Sequence, residues 1–249
     1  MKKLLKTIYY LIASLIPSRG AVVLMYHSIA DNSEFFSVSA SDFEKQVAYL
    51  SKNKYKIISA LKLVEFLKNK DKIPPKTIVI TFDDGYEDNY LKAFPILEKY
   101  GFSASIFVTT GSIGSQRKTS RGTSIPTLSW AQIKEMSLSG RIDFFPHTHT
   151  HPQLDSLSDK DAREEIAKSK NIMENKLSKK MTLFAYPYGR SNPKIKKILE
   201  QEGFQAAFTV EPGAISRSSK VELLSIKRNS VDSGVSLPMF KGIVKHGRI

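Results

Sequence analysis

The chain has 249 residues and no cysteine. Disulfides, thiolate metal sites and cysteine nucleophiles are excluded, while oxidising and reducing compartments both stay open. Acidic residues are in short supply: 24 Asp and Glu stand against 38 Lys and Arg, a formal charge of +14. An excess of that size attracts nucleic acid, an anionic membrane surface or an anionic polymer. The lysines are scattered through helical segments and no nucleic-acid motif accompanies them, so nucleic acid is not expected as a partner. Long apolar runs are lacking too. The N-terminal stretch from Thr7 to Ile16 falls short of the about 20 apolar residues that a membrane span needs. It follows a basic start, Met1-Lys2-Lys3, and runs into Ile16-Pro17-Ser18-Arg19-Gly20, a poor cleavage site for a signal peptide. Residues 1–20 therefore read as a membrane-associating segment. It is an uncleaved signal-anchor, an interfacial helix held by Tyr9 and Tyr10, or a helix that simply packs. The expected location is membrane-associated or extracytoplasmic, of bacterial type, with the cytoplasmic face left open.

What is present is an ordinary globular composition, 41% hydrophobic, in a length that suits one large α/β domain. Apolar runs that read as strands alternate with helical periods from Ala21-Val-Val-Leu-Met-Tyr26 to the C-terminus. The helical segments include one from Ser41 to Asn53, with Phe43, Val47 and Leu50 on one face and Ser41 with Glu44 as a capping box. Further helices are expected near residues 60–68, 88–100, 129–138, 158–177, 193–202 and 235–244. Short strands are expected at residues 55–58, 103–108, 141–145, 181–185, 204–208 and 223–226. Gly111 to Thr127 is the one long polar loop, a length at which loops are usually functional or disordered. Alternation of this kind builds a parallel sheet covered by helices, and about seven or eight units in this length favour a barrel. Residues 21–249 are read as one domain. In such a barrel the chemistry collects at the C-terminal strand ends.

Each unusual polar residue falls at such an end. Thr77-Ile-Val-Ile-Thr-Phe82 is a β-branched run set off by Pro74-Pro75, and it stops at Asp83-Asp84-Gly85. Adjacent carboxylates resist joint ionisation. A bound cation resolves the conflict, with one carboxylate as ligand and the other left to take a proton. Asp-Gly is by itself also a common turn. The second cluster is Pro146-His147-Thr-His149-Thr-His151-Pro152. An extended chain points all three histidines one way, whereas a loop or helical turn brings His147 and His151 together and leaves His149 apart. Either arrangement gives at least two imidazole ligands, and with Asp84 they form a set with open positions, as a catalytic ion requires. The third is Phe184-Ala-Tyr186-Pro187-Tyr188-Gly189. Its rigid turn aims the Tyr188 backbone N–H outward, where it can stabilise a developing oxyanion by about 3–4 kcal/mol.

Thr81-Phe-Asp-Asp-Gly85, His147-Thr-x-x-His151 and Tyr186-Pro-Tyr-Gly189 resemble, in order and rough spacing, the motifs of the polysaccharide deacetylases, carbohydrate esterase family 4 or the NodB homology domain. The resemblance covers about residues 21 to 245. It implies a deformed (β/α) barrel of about seven parallel strands and metal-dependent hydrolysis of N-acetyl, sometimes O-acetyl, groups on sugars. By position, Asp83 matches the family's catalytic base, Asp84, His147 and His151 its metal ligands, and Tyr188 its oxyanion donor, while His149 matches a position that is not a ligand.

Two departures stand out. The family's arginine near the third motif, which faces the base, is replaced by Phe184-Ala185, leaving Arg228 or Arg190 to supply that charge. The family's late Leu-x-x-His motif is also missing, since the only late histidine is His246, near the terminus. Leu24-Met-Tyr-His27-Ser resembles instead the first strand of the poly-N-acetylglucosamine deacetylase branch, which makes His27 the expected general acid. Tyr86, Pro187, Trp130 and Arg228 are the expected substrate contacts. The cofactor is expected to be a divalent metal, Zn2+ first, with Co2+, Ni2+ or Mn2+ also accepted by such ligands. The expected partner is an acetylated amino-sugar glycan, with membrane-surface contact. A lipid- or nucleotide-linked sugar as substrate, and a glycan-binding protein that no longer cleaves, are the alternatives.

Overall fold

The computed structural model describes residues 20–216 and 221–247. The readings placed on residues 1–19 lie outside them. In chain order the main elements are β1 (Gly20–Tyr26), α1 (Ala40–Lys52), β2 (Lys56–Ile57), α2 (Ala60–Asn69), β3 (Thr77–Asp84), α3 (Phe94–Tyr100) and β4 (Ala104–Val108). They continue with α4 (Trp130–Leu138), β5 (Ile142–Pro146), α5 (Asp159–Leu177), β6 (Leu183–Ala185), α6 (Pro193–Gln201), β7 (Ala206–Phe208), β8 (Ala214–Ser216), β9 (Asn229–Ser230) and α7 (Leu237–His246).

Strands β1 and β3 are buried along their whole length. Helices on one side and the barrel interior on the other keep both faces dry, which is why these strands read as continuous apolar runs. Parallel ladders join β1 to β3, β3 to β4 and β4 to β5. A second parallel pair, β6 with β7, carries on round the ring. A parallel bridge from Phe208 to Ile226 then leads into β9, which returns to β1 beside Leu24 and Met25. The circuit is a deformed (β/α) barrel, its ladder interrupted between β5 and β6. Beside this circuit β8 runs antiparallel, against the first half of β1. The interior is aromatic where it narrows, with Phe107 ring centroids 5.8 Å from Phe145 and 5.4 Å from Phe208.

Several boundaries differ from the sequence reading. Helix α1 is capped by Ser39, whose hydroxyl accepts from the Asp42 N–H at 3.0 Å, rather than by Ser41. The apolar stripe of Phe43, Val47 and Leu50 is the same in either register, so periodicity fixed the face and not the end. Residues 223–226 form a 3-10 turn and a single bridge instead of a strand. A π-helical turn at Asn89–Ala93 precedes α3. The polar 111–127 loop folds back on itself as an antiparallel hairpin, Gln116–Lys118 against Ser124–Pro126. Thr119 and Arg121 anchor it on Glu34 Oε1 and the Ser33 carbonyl.

Candidate metal centre

Ladder register delivers the polar residues to one rim. Tyr26 pairs with Phe82, Asp83 with Phe107, Asp84 with Val108, and Val108 with Pro146. One residue further on, β1 gives His27 and β5 gives His147, whose N–H extends the ladder to the Val108 carbonyl at 2.9 Å. His27, Asp84 and His147, far apart in the chain, are thereby brought to the C-terminal end of the barrel.

The looped geometry of the histidine segment is the one found. The His147 and His151 rings lie 4.9 Å apart at 64°, while His149 turns away to Thr110, with Nδ1 3.0 Å from its Oγ1. Asp84 Oδ1 is 3.3 Å from His151 Nε2 and 3.9 Å from His147 Nε2. Asp84, His147 and His151 form a group whose ligand atoms lie within 4.8 Å of one another. The Ala185 carbonyl, 2.7 Å from His147 Nδ1, can only accept, so it fixes the proton on Nδ1 and turns the Nε2 lone pair toward Asp84. Asp84 Oδ1 is buried and accepts no well-aligned hydrogen bond, its one close cationic neighbour being the Arg117 guanidinium at 3.0 Å. A buried carboxylate oxygen facing two imidazole lone pairs is a donor set that a divalent ion satisfies.

Eight non-glycine residues have positive φ among the described residues, and Asp84, Thr148, His151 and Tyr188 are four of them. Left-handed backbone at a residue with a Cβ costs on the order of 1–3 kcal/mol and persists only where its surroundings enforce it. Its concentration at one rim marks a built site.

Electrostatics follow the same division. Burial raises the Asp84 carboxyl, but His151 and Arg117 outweigh it and hold the group well below the usual carboxylate range. Burial pushes His151 down to about 3 and lowers His147 as well, so both rings are neutral at pH 7, as ligands must be. Asp83 stands apart from the triad. Arg228 grips it in a two-pronged ion pair, Nη1 to Oδ1 at 2.7 Å and Nη2 to Oδ2 at 2.6 Å. Against the pull of burial, that guanidinium keeps Asp83 below its ordinary value and ionised. Of the two arginines considered for this charge, Arg190 pairs with Asp155 at the surface instead.

His27 sits within electrostatic reach of both carboxylates, its ring 5.8 Å from Phe36. Asn89 Nδ2 donates to its carbonyl at 2.8 Å. Tyr188 is 55% exposed, with its ring 4.7 Å from His151. The Gly189 and Arg190 N–H groups are taken by the Tyr186 and Pro187 carbonyls. A groove of about 460 Å³ opens beside the triad, lined by Thr109, Ser112, Arg117, His149, His151 and Tyr188 among others. None of the four expected substrate contacts lines that groove. Arg228 is wholly buried against Asp83, Pro187 is buried in its turn, and Tyr86 is buried with its ring stacked 5.5 Å from Phe36. Trp130 opens α4, where its ring lies under Lys176.

Arg117 was missed from the sequence. Its Nη1 lies 3.0 Å from Asp84 Oδ1 and 3.1 Å from Thr109 Oγ1. It sits in a polar loop without periodicity, and no local signal points it at the rim.

A family model for polysaccharide deacetylase matches residues 70–207, more than half of the chain. The chain belongs to the polysaccharide deacetylase family. It is 34% identical to YxkH of Bacillus subtilis (strain 168), a protein named for the same family, over 90% of this chain and 75% of that one. It is 30% identical to a Staphylococcus aureus poly-beta-1,6-N-acetyl-D-glucosamine N-deacetylase over 74% of this chain, and spans 64% of that relative's length. Several solved structures are similar, among them the following two. One is IcaB from Ammonifex degensii, with TM-score 0.80, 28% identity and coverage of 92% of this chain and 98% of that one. The other is the Streptococcus pyogenes deacetylase PplD in complex with acetate, with TM-score 0.77, 27% identity and coverage of 92% and 99%. The polysaccharide deacetylase barrel described above is thus a NodB-like fold, and the enzyme is a metal-dependent carbohydrate deacetylase.

Proposed function

We propose that this enzyme hydrolyses N-acetyl groups on hexosamine residues of a bacterial-type glycan, with Asp84, His147 and His151 holding the divalent ion, zinc in the first instance. The observation that carries the reading is the split between two adjacent carboxylates. Asp84 turns Oδ1 toward both imidazoles, 3.3 and 3.9 Å from their Nε2 atoms, and Asp83 is held ionised by Arg228 beside them. A bound ion there supplies Lewis acidity and makes a water molecule acidic enough to deprotonate near neutral pH.

The chain's own residues do the rest. Asp83 accepts the proton as water oxygen bonds to the acetyl carbon. The Tyr188 N–H donates to the oxyanion that develops on the carbonyl oxygen. His27 gives a proton to the nitrogen as the C–N bond breaks, so that acetate and a free amine leave. The sugar-acetyl class is supported by relatives named for poly-N-acetylglucosamine deacetylation. The one reason for a binding protein without turnover was the arginine missing from the third motif, and Arg228 supplies that charge from another part of the chain.

The test is acetate release from poly-N-acetylglucosamine and chitooligosaccharides, with lipid- and nucleotide-linked N-acetylhexosamines in the same panel. Chelator should abolish release, and zinc should restore it. Asp83→Asn should lower kcat by at least about a hundredfold, the scale of a lost general base, while metal stays bound. Full activity in that variant, or release untouched by chelator, would refute the assignment.

A further inference from the structure

The strained segment between the two histidine ligands has a clamp on its outer side. Thr148 and His151 both lie in the left-handed region, at φ 65° and 66°. Within the loop, Thr148 Oγ1 accepts the His151 N–H at 2.9 Å. That bond ties the second ligand to the loop but does not hold the loop to the barrel. Residues 110 and 111 do so on one side, their N–H groups donating to the Thr148 and His149 carbonyls at 3.2 and 2.8 Å, and helix α5 does so on the other through Glu165. One carboxylate oxygen accepts the His149 N–H at 2.9 Å and the Thr150 N–H at 2.8 Å, and the other accepts the Thr150 hydroxyl at 2.8 Å. Hydrogen bonds to an ionised acceptor are roughly twice as strong as neutral ones. Three of them on one loop are of the right size to offset two strained residues.

We propose that Glu165 is a positioning residue for the metal centre: its carboxylate locks residues 148–151 in the conformation that turns His151 toward Asp84 and His147. Glu165 touches none of the three ligand side chains, so it acts through the backbone. The same bonds fix His149 and Thr150 as one wall of the groove. The inference rests on reading the triad as a metal centre.

Isothermal titration with Zn2+ tests it, beside thermal melting of the metal-free protein. Glu165→Ala should weaken zinc binding about 10–100-fold, the range found for supporting residues one shell beyond a metal, while the metal-free melting temperature stays near that of the wild type. Glu165→Gln is the rescue. Its carbonyl oxygen can still accept both N–H groups and its amide can donate to the Thr150 hydroxyl, so its affinity should stay within about threefold of the wild type. Glu165→Asp keeps the charge but is one methylene short, and should also bind weakly. It carries the test if the alanine variant does not fold. Wild-type affinity in Glu165→Ala, or in Glu165→Asp where the alanine variant does not fold, overturns the inference. A wild-type protein that binds no divalent ion overturns instead the metal reading beneath it.

Discussion

A guanidinium with no exposure to water must be neutralised where it lies. Arg228 is such a group, sealed in the barrel interior with its charge 5.5 Å from the centre of the Phe107 ring. Its partner Asp83 is 145 residues earlier in the chain and 2% exposed. Removing one member of a buried pair leaves the other charged and unpaired, which typically destabilises by about 3–5 kcal/mol. Arg228→Ala should therefore lower the unfolding free energy by about that amount in urea titrations, and deacetylation should be lost as well because Asp83 is no longer held ionised in place. Arg228→Lys should rescue only part of either, since an ammonium cannot match the paired geometry. A stability loss below about 1 kcal/mol in Arg228→Ala would mean that the charge is not buried in solution.

At the scale of elements, the helices and the long central strands were legible in the sequence, while the short strands after residue 210 were not. A continuous β-branched run ending in two acids can only be a covered strand that stops at a polar rim, as β3 does. The His147–His151 loop was half legible. The spacing allowed convergence, but the choice hangs on positive φ at Thr148 and His151, which no composition rule gives to a threonine or a histidine. The Arg228 pairing was legible only as one of two candidates, because the ladder circuit through Ile226 and β9 decides it. The 116–126 hairpin was legible as a long loop and nothing more. Yet it brings Arg117 to Asp84 Oδ1, where a metal ion would also have to bind. Two cations compete there for one carboxylate oxygen. Arg117→Ala should accordingly tighten zinc binding by about tenfold, equivalent to about 1.4 kcal/mol, in the same calorimetric titration. Unchanged binding would show that the guanidinium does not oppose the ion, and weaker binding that it helps it.

Across the whole molecule the charge has to be explained as well as the chemistry. The rim uses few of the 38 basic residues: Arg117 and Arg228 face carboxylates, and many of the described lysines are solvent-exposed, on helices and in turns. Solvated lysines of that kind give a protein a long-range attraction to anionic surfaces without a specific site. Each basic residue near an anionic leaflet contributes about 1 kcal/mol, screened within a Debye length of about 10 Å at 0.1 M salt. In the sequence Lys2, Lys3 and Lys6 lie immediately before the apolar stretch from Thr7 to Ile16, the order of charged and apolar residues that membrane-surface segments use. If that segment brings the enzyme to a membrane, vesicles of mixed neutral and anionic lipid should sediment the full chain at low salt. Changing Lys2, Lys3 and Lys6 to Glu should cut the bound fraction at least about tenfold, leaving acetate release from a soluble substrate unchanged. Equal sedimentation of the two proteins would assign the attraction to the scattered lysines of the folded domain, and raising the salt to about 0.5 M should then release both alike.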